Sequence, residues 1–339
     1  MRLPSPRGPM SEALCDALSE DPGQLPAALC LQLPPLDHAT AVFTDADLQL
    51  TLAICYELHY SGFDGVSDRW EWNPALLALR ARLEHHFEAA LEDLVGGLPS
   101  TPAATVPQRL RELADADSGP SLAKYIQRYA TQEQFDEFVI QRSIYHLREA
   151  DPHTWGIPRL TGRAKAALLE IQIDEYGSGR LARMHAEMFR VTMECLGLDS
   201  TYGAYIDVVP AITLATNNLM SFFGLHRRHR GALLGHLAAF EMTSAVPNRR
   251  YGNGLRRLGG EPAATAYYDE HVEADSVHEQ IAAHDMCGSF AQENPAEAED
   301  VIFGAACCLA VDQLFADHLL GYWERDESSL LQLEAATSR

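Results

Sequence analysis

Basic residues are scarce in this sequence. Lys and Arg number 26 against 48 Asp and Glu, which gives a formal net charge of −22 for 339 residues. A protein that binds nucleic acid or an anionic membrane surface needs a basic patch, so we expect neither partner. The sequence has no uninterrupted apolar run of the ~18 residues that a membrane span needs, and no apolar N-terminal core typical of a signal peptide. These absences predict a cytoplasmic protein without a membrane span.

Paired cysteine motifs are also missing. The seven cysteines form no CxxC pair and no even framework, which is typical of reduced, mostly buried thiols. Cys307 and Cys308 are adjacent in an apolar stretch, where core packing is expected rather than redox chemistry. Hydrophobic residues make up 47% of the chain, so it has enough apolar surface to fold into a globular protein.

Strand patterns are nearly absent, and the apolar residues recur at helical spacing. The sequence therefore predicts an all-α protein. Thr44 is the expected N-cap of the helix at 45–60. Pro152 is expected to end the helix at 132–150, and Pro210 to kink the helix at 203–224. Residues 96–120 are rich in Gly, Pro, Thr and Ala and predict a linker. The predicted helices span 45–60, 75–95, 132–150, 163–196, 203–224, 229–246, 262–284 and 296–323.

Three metal-competent residues, His271, Asp275 and His278, are spaced four and three apart in EHVEADSVHEQ. At about 3.6 residues per turn, this spacing places all three within about 60° on one helical stripe. Two imidazoles and a carboxylate on one stripe form half of a site for a first-row metal ion. The alternative is a polar, solvated helix face, since three glutamates surround the trio.

Glu175 and His185 lie ten residues apart, which on an ideal helix separates them by about 15 Å and about 80°. They share a site only if the helix bends or unwinds between them, which Gly177 and Gly179 would permit. The alternative is that Glu175 faces solvent beside a helix break.

Two further carboxylates are candidates. Glu149 ends the helix before Pro152, and by itself it fits an ordinary surface glutamate equally well. Glu241 lies among Leu237, Phe240 and Met242 in a strongly apolar helix, where a buried carboxylate needs a partner.

Glu149, then Glu175 and His185, then His271, Asp275 and His278 resemble in order the ligands of the haem-oxygenase-like diiron oxidases. The segments YHLREADPH, DEYGSGRLARMH and YELHYSGFDGVSDRWEWNP are also similar to that family, and the resemblance covers roughly residues 40–325.

This resemblance implies a haem-oxygenase-like helical bundle with additional N-terminal helices. It implies two Fe(II) ions held by those six residues, O2 as co-substrate, and no catalytic residue beyond the ligands. Glu241 falls where the nitrogen-oxygenating branch of the family has an additional glutamate ligand.

The domain division that we predict has four parts. Residues 1–40 form an N-terminal extension, 41–115 an N-terminal helical portion packed on the core, 116–325 the dimetal-binding core, and 326–339 a C-terminal tail.

The sequence gives fewer indications of how a substrate is recognised. Arg249 and Arg250 lie in a Gly- and Asn-rich stretch that predicts a loop, and Asn217 lies in an apolar helix. An arginine suits a carboxylate through bidentate hydrogen bonds, although paired arginines in loops are often simply solvated. Three further residues are not expected to bind metal at this site. Glu57 and His59 point to different helix faces, and His284 lies on the face opposite His271.

The leading functional hypothesis is an O2-activating diiron oxidase in specialised-metabolite biosynthesis, acting on a small amine-containing molecule. A free aliphatic amino acid is the expected substrate, and C–H abstraction leading to desaturation or C–N ring closure is the expected reaction. One alternative is a diiron N-oxygenase that oxidises an amine nitrogen. Another is a metal-free helical binding protein. An external electron donor and a homodimer are left open.

Overall fold

A computed structural model describes residues 1–25, 29, 39–116 and 121–332, except the side chains of residues 39 and 273–277. The described residues contain helices and turns and no strand, so the all-α prediction is confirmed. The α-helices, numbered α1 to α16 in chain order, are Pro9–Leu18, Ala39–Thr44, Ala46–Glu57, Pro74–Val95, Val106–Asp115, Leu122–Arg128, Gln132–His146, Asp151–Thr154, Gly162–Glu175, His185–Cys195, Ala211–Leu225, Arg230–Thr243, Ala245–Arg257, Pro262–Gln280, Ser289–Glu293 and Ala298–Trp323. A π-helix, Ile281–Gly288, continues α14.

The helices enclose two apolar cores. The larger core is formed mainly by α1–α4, α6, α7, α10 and α11, and the smaller by α5, α9, α12 and the π-helix. The C-terminal helix α16 contributes to both. The division of the chain at residues 40, 115 and 325 stays a prediction.

Helices α12 and α16 pack against each other at very close range. A Cβ atom on Gly304 would lie 1.9 Å from the carbonyl oxygen of Ala232, and one on Gly235 would lie 1.8 Å from that of Val301. Only glycine fits at these two crossings, so the pair sets how deeply α12, which carries Glu241, lies in the bundle. By length and composition alone, the segment Pro295–Trp323 could cross a membrane, and 56% of its most apolar window is buried inside the protein.

Three sequence predictions about local structure need correction. Residues 106–115 of the predicted linker form α5, because Val106 and Leu110 are apolar at helical spacing and both are buried. The predicted loop around Arg249 and Arg250 lies within α13. Residues 201–209 form turns, since Pro210 lies at the N-cap of α11 and does not kink a longer helix.

Two predicted boundaries also shift. The N-cap of α3 is Asp45, whose side chain accepts a hydrogen bond from the Leu48 amide, and Thr44 ends the short helix α2 before it. Helix α7 ends at His146, ahead of the expected position, and Ala150, at the N-cap of α8, takes a left-handed conformation with φ of 75°. Pro152 then lies in the first turn of α8, where its missing amide hydrogen costs nothing.

Candidate metal centre

The break between α9 and α10 brings Glu175 and His185 together. Gly177, Ser178 and Gly179 all have positive φ angles, and short 3-10 turns follow before α10 begins at His185. A Cβ on Gly177 would lie 2.4 Å from the carbonyl carbon of Arg183, so only glycine allows the chain to fold back this tightly. The interruption that the sequence predicted is therefore confirmed, and its effect is to return His185 to Glu175.

Four of the predicted ligands form one buried cluster. The ligand atoms of Glu149, Glu175, His185 and His271 lie within 4.8 Å of one another. Nδ1 of His185 is 3.0 Å from Oε2 of Glu175 but makes no hydrogen bond in the structure. This nitrogen and this oxygen approach each other closely without a hydrogen bond, as two ligand atoms of one cation would.

Three residues form a second cluster. Glu175, Glu241 and His278 also have ligand atoms within 4.8 Å of one another, and Nδ1 of His278 is 3.2 Å from Oε2 of Glu241. Glu175 belongs to both clusters, so it would help to hold both ions of a metal pair. The side chain of Asp275, the remaining predicted ligand, lies outside the described residues.

Hydrogen bonds with neighbouring groups orient these proposed ligands. The Nδ1 atom of His271 lies 2.8 Å from the carbonyl oxygen of Tyr267, which favours the tautomer that turns the Nε2 lone pair toward Glu149. The hydroxyl of Tyr267 donates to both carboxylate oxygens of Glu149, at 2.9 and 2.8 Å. Nε2 of His278 is 3.0 Å from Oδ2 of Asp174, which is half-exposed.

Sequence reasoning missed Tyr267, His146 and the role of Asp174. Nδ1 of His146 is 3.0 Å from Oε1 of Glu149, three residues later. A signal for Tyr267 was present, because it precedes His271 by one helical turn and so lies on the same stripe.

The charges of the clusters are compatible with bound cations. Burial alone would raise the pKa of Glu149, but the imidazoles of His146 and His271 hold that pKa well below its ordinary value. Burial raises the pKa of Glu241 above its ordinary value despite the neighbouring His278. Among the ion pairs of the described residues, the three glutamates have only imidazole partners and no Lys or Arg. Three buried carboxylates without a lysine or arginine are costly, and two dications would neutralise them.

Oxygen and imidazole nitrogen donors are the ligand types that suit iron in such sites. The residues present therefore fit a pair of iron ions, held between α7 and the turn after it, α9, α10, α12 and α14.

A cavity of about 150 Å³ adjoins the clusters. Apolar side chains of both cores line much of it, including Phe138, Phe189, Leu237 and Phe240. These side chains restrict the access of water to the clusters from the side of the cavity.

The other predicted site residues are placed elsewhere. Arg249 is exposed on α13, Arg250 lies 3.5 Å from the hydroxyl of Ser121, and neither lines this cavity. Asn217 is buried at a separate, smaller cavity. The α13 residues that do line the metal-side cavity are Pro247, Asn248 and Tyr251, because a helix turns its arginines to a different face from these three.

The residues that were not expected to bind metal have other partners or positions. Glu57 is buried and pairs with Arg148 at 3.1 Å, while His59 lies 3.2 Å from Glu71. His284 is exposed. Cys307 and Cys308 are both buried, as their apolar surroundings predicted.

Comparison with known proteins gives one family and one relative. A family model described as "iron-containing redox enzyme" matches residues 136–313, which include every proposed ligand. Nitrosourea synthase from Streptomyces achromogenes subsp. streptozoticus is 28% identical over 145 residues, which are 43% of this chain and 31% of that protein. The match thus spans less than a third of the length of the relative.

Proposed function

Because this chain belongs to the family of iron-containing redox enzymes and is an oxidoreductase, we propose that it holds two iron ions and uses O2 to oxidise a small amine-containing molecule. The observation that carries the proposal is the position of Glu175, which is shared by two buried clusters of metal-competent residues. A pair of ferrous ions supplies electrons for the reduction of O2.

The protein's own residues have three tasks in this proposal. Tyr267 fixes the orientation of Glu149, and its pKa is raised well above the ordinary value, by burial first and then by Glu149, so the phenol stays a hydrogen-bond donor. The carbonyl of Tyr267 fixes the ring of His271. The apolar wall of the cavity, with Phe189 and Phe240, excludes water from the place where substrate would lie.

Oxidation of an amine nitrogen is the reaction that the geometry supports best. Glu241, which the resemblance implies as the additional ligand of the nitrogen-oxygenating branch, lies 3.2 Å from His278 in the second cluster, and this supports the proposal. The similarity to nitrosourea synthase, whose name refers to a product with a nitrogen–nitrogen bond, supports the same choice. Overall, this reaction of O2 needs four electrons, of which two would come from the amine nitrogen and two from the bound iron pair. One oxygen atom enters a new N–O bond, and the other leaves as water with two protons. An external reductant would resupply the second pair of electrons.

Oxidation of a C–H bond in a free aliphatic amino acid is the second candidate. Leu237 and Phe240 give the cavity apolar walls beside Glu241, and such walls would pack against an aliphatic chain. Overall, the substrate would give up two electrons and two protons, the bound iron pair two electrons and solvent two protons, so that O2 would leave as two water molecules. The product is an alkene or a C–N ring.

Product analysis separates these reactions. The protein is loaded with ferrous iron without O2, the iron per chain is counted, and labelled O2 is added with a panel of amino acids and amines. We expect two irons per chain and a product that gains labelled oxygen on nitrogen. A product that loses two hydrogens and gains no oxygen would favour the second candidate. A chain that binds no iron would instead support the metal-free binding protein and contradict both.

A further inference from the structure

A groove of about 380 Å³ lies on the protein surface beside α9. Ile157, Leu169 and Ile173 give it apolar walls, and residues 178–179 of the turn before α10 also line it. Ile173 is 53% exposed, so the groove is open to solvent. A surface lined by aliphatic side chains favours an apolar molecule over water.

Gln172 lies between this groove and the cavity at the clusters. Among the described residues that line either space, it is the only one that lines both. It comes one residue before Ile173, which lines the groove, and three residues before Glu175, which lines the cavity. A helix turns by about 100° per residue, so Ile173 and Glu175 lie on either side of Gln172 around α9. The groove and the cavity therefore adjoin at this side chain.

The amide of Gln172 has no hydrogen bond that holds it in place. The residue is 3% exposed, and neither the amide oxygen nor the amide nitrogen has a hydrogen-bond partner in the part of the chain that the structure describes. A buried amide without partners is unusual, and it can change rotamer without breaking a hydrogen bond. The neighbouring wall is held more firmly, because the hydroxyl of Tyr176 donates to Oδ1 of Asp151 at 2.6 Å. Gln172 is thus the side chain at this border that is free to move.

We propose that O2 enters the protein through this groove and that Gln172 is the gate between the groove and the clusters. This inference rests on the proposed function and adds the route by which O2 arrives. O2 carries no charge and is apolar, so the aliphatic walls of the groove suit it better than a polar entrance would. When the amide moves aside, the passage leads to Glu175, which belongs to both clusters.

Another end of the cavity carries polar side chains. Asn248 of α13 and Asp312 of α16 line it there, and the side chain of Asp312 is 44% exposed. An organic substrate that fills this end would obstruct it for O2. Entry through the groove lets O2 reach the clusters while the polar end is occupied, so the two substrates do not compete for one opening.

Nitric oxide is the first probe of this route, because it is small and uncharged like O2 and binds ferrous iron without turnover. Its bimolecular rate of binding to the iron-loaded protein is measured by stopped-flow absorbance in the absence of O2. Gln172→Trp fills the border and Ile173→Trp narrows the groove from its exposed side, so each should lower this rate by at least about 10-fold. Both variants should still hold two irons per chain, since neither residue belongs to the clusters.

Asn248→Trp is the matched control. It places the same indole at the polar end of the cavity and leaves the groove open. This variant should bind nitric oxide at the wild-type rate. Wild-type rates in both groove variants, or an equal fall in Asn248→Trp, would overturn the route while two irons per chain leave the proposed function standing. A wild-type protein that holds no iron would instead overturn the proposed function itself.

Xenon tests the groove without iron. Crystals of the iron-free protein are held under xenon pressure, since xenon binds in apolar cavities. We expect a xenon atom between Ile157 and Leu169 in the wild type and none there in Ile173→Trp. A groove that takes up no xenon in the wild type would contradict the route, whether or not the protein binds iron.

Discussion

Glu175 is the side chain that links the two clusters of the proposed metal centre. It is 9% exposed and is the only residue common to both described clusters. The other members of the clusters divide into two groups on either side of it, so the loss of a ligand from one group should leave the other intact. This division makes the two proposed iron positions separable by single substitutions.

We therefore predict that a substitution of His278 removes one of the two proposed irons and leaves the other. His278→Ala removes the imidazole of the second cluster, which contacts Glu241 and Asp174, and leaves the four residues of the first cluster unchanged. Iron bound after anaerobic loading should fall from two ions per chain to one, and O2-dependent turnover should drop by at least about 100-fold. Iron analysis and O2 consumption measure the two effects.

His85→Ala is the comparison for this variant, since His85 is exposed on α4 and belongs to neither cluster. It should bind two irons and turn over normally. A His278→Ala protein that does the same would remove His278 from the list of ligands.

At the scale of elements, the segment between α9 and α10 decides whether a site exists. An unbroken helix would separate Glu175 from His185 by about 15 Å, whereas the two side chains are 3.0 Å apart. The reversal depends on three consecutive residues with positive φ, of which Gly177 is packed against the backbone and Gly179 is not.

This difference makes Gly177 and Gly179 a matched pair of substitutions. Gly179→Ala, with no atom within 4 Å of the new Cβ, should cost about 1 kcal/mol for the left-handed conformation alone. Gly177→Ala adds the clash with Arg183 and should cost about 2–4 kcal/mol in total. It should also weaken iron binding, because His185 can no longer return to Glu175. Denaturant unfolding of the iron-free proteins and iron titration give both quantities, and equal stabilities for the two variants would count against this account of the turn.

At the scale of the whole molecule, two apolar cores meet around polar groups that are almost completely buried. His153 and His236 are 0% and 1% exposed and share a hydrogen bond of 3.2 Å between Nε2 and Nδ1. Burial lowers the pKa of His153 to about 4, although Glu175 and Glu149 oppose the shift, and burial together with His153 lowers that of His236 well below its ordinary value.

This pair predicts a loss of stability in mild acid. Both imidazoles stay neutral in the folded protein but gain protons in the unfolded chain below pH about 6.5, so the unfolded state binds more protons. Their contribution to stability is complete above about 6.5 and is lost as the pH falls toward 4. His236→Asn, which keeps an acceptor for His153, should reduce the loss between pH 7.5 and 5 by about 2 kcal/mol. Urea unfolding of the iron-free protein at the two pH values measures it.

The exposed His85→Asn variant is the reference for this experiment and should lose as much stability in acid as the wild type. If His236→Asn also follows the wild type, the buried pair does not control acid stability.

The sequence by itself determined the helical class, because apolar spacing is a local property that each segment displays without its neighbours. It also determined the stripe of His271 and His278, since a regular helix fixes the relation between residues three and four apart. The glycines after Glu175 indicated a break in the helix, because glycine adopts positive φ angles more readily than other residues.

Only the tertiary structure decided which residues meet across helices. Arg142 and Asp312 are 170 positions apart and approach to 2.8 Å, while Arg249 and Arg250, which the sequence offered for substrate binding, turn away from the cavity. Asp174, Tyr267 and His146 acquired their places around the ligands in the same way. Helix orientation and depth are set by packing across the whole bundle, and packing between segments distant in the chain leaves no periodic signal in either segment alone.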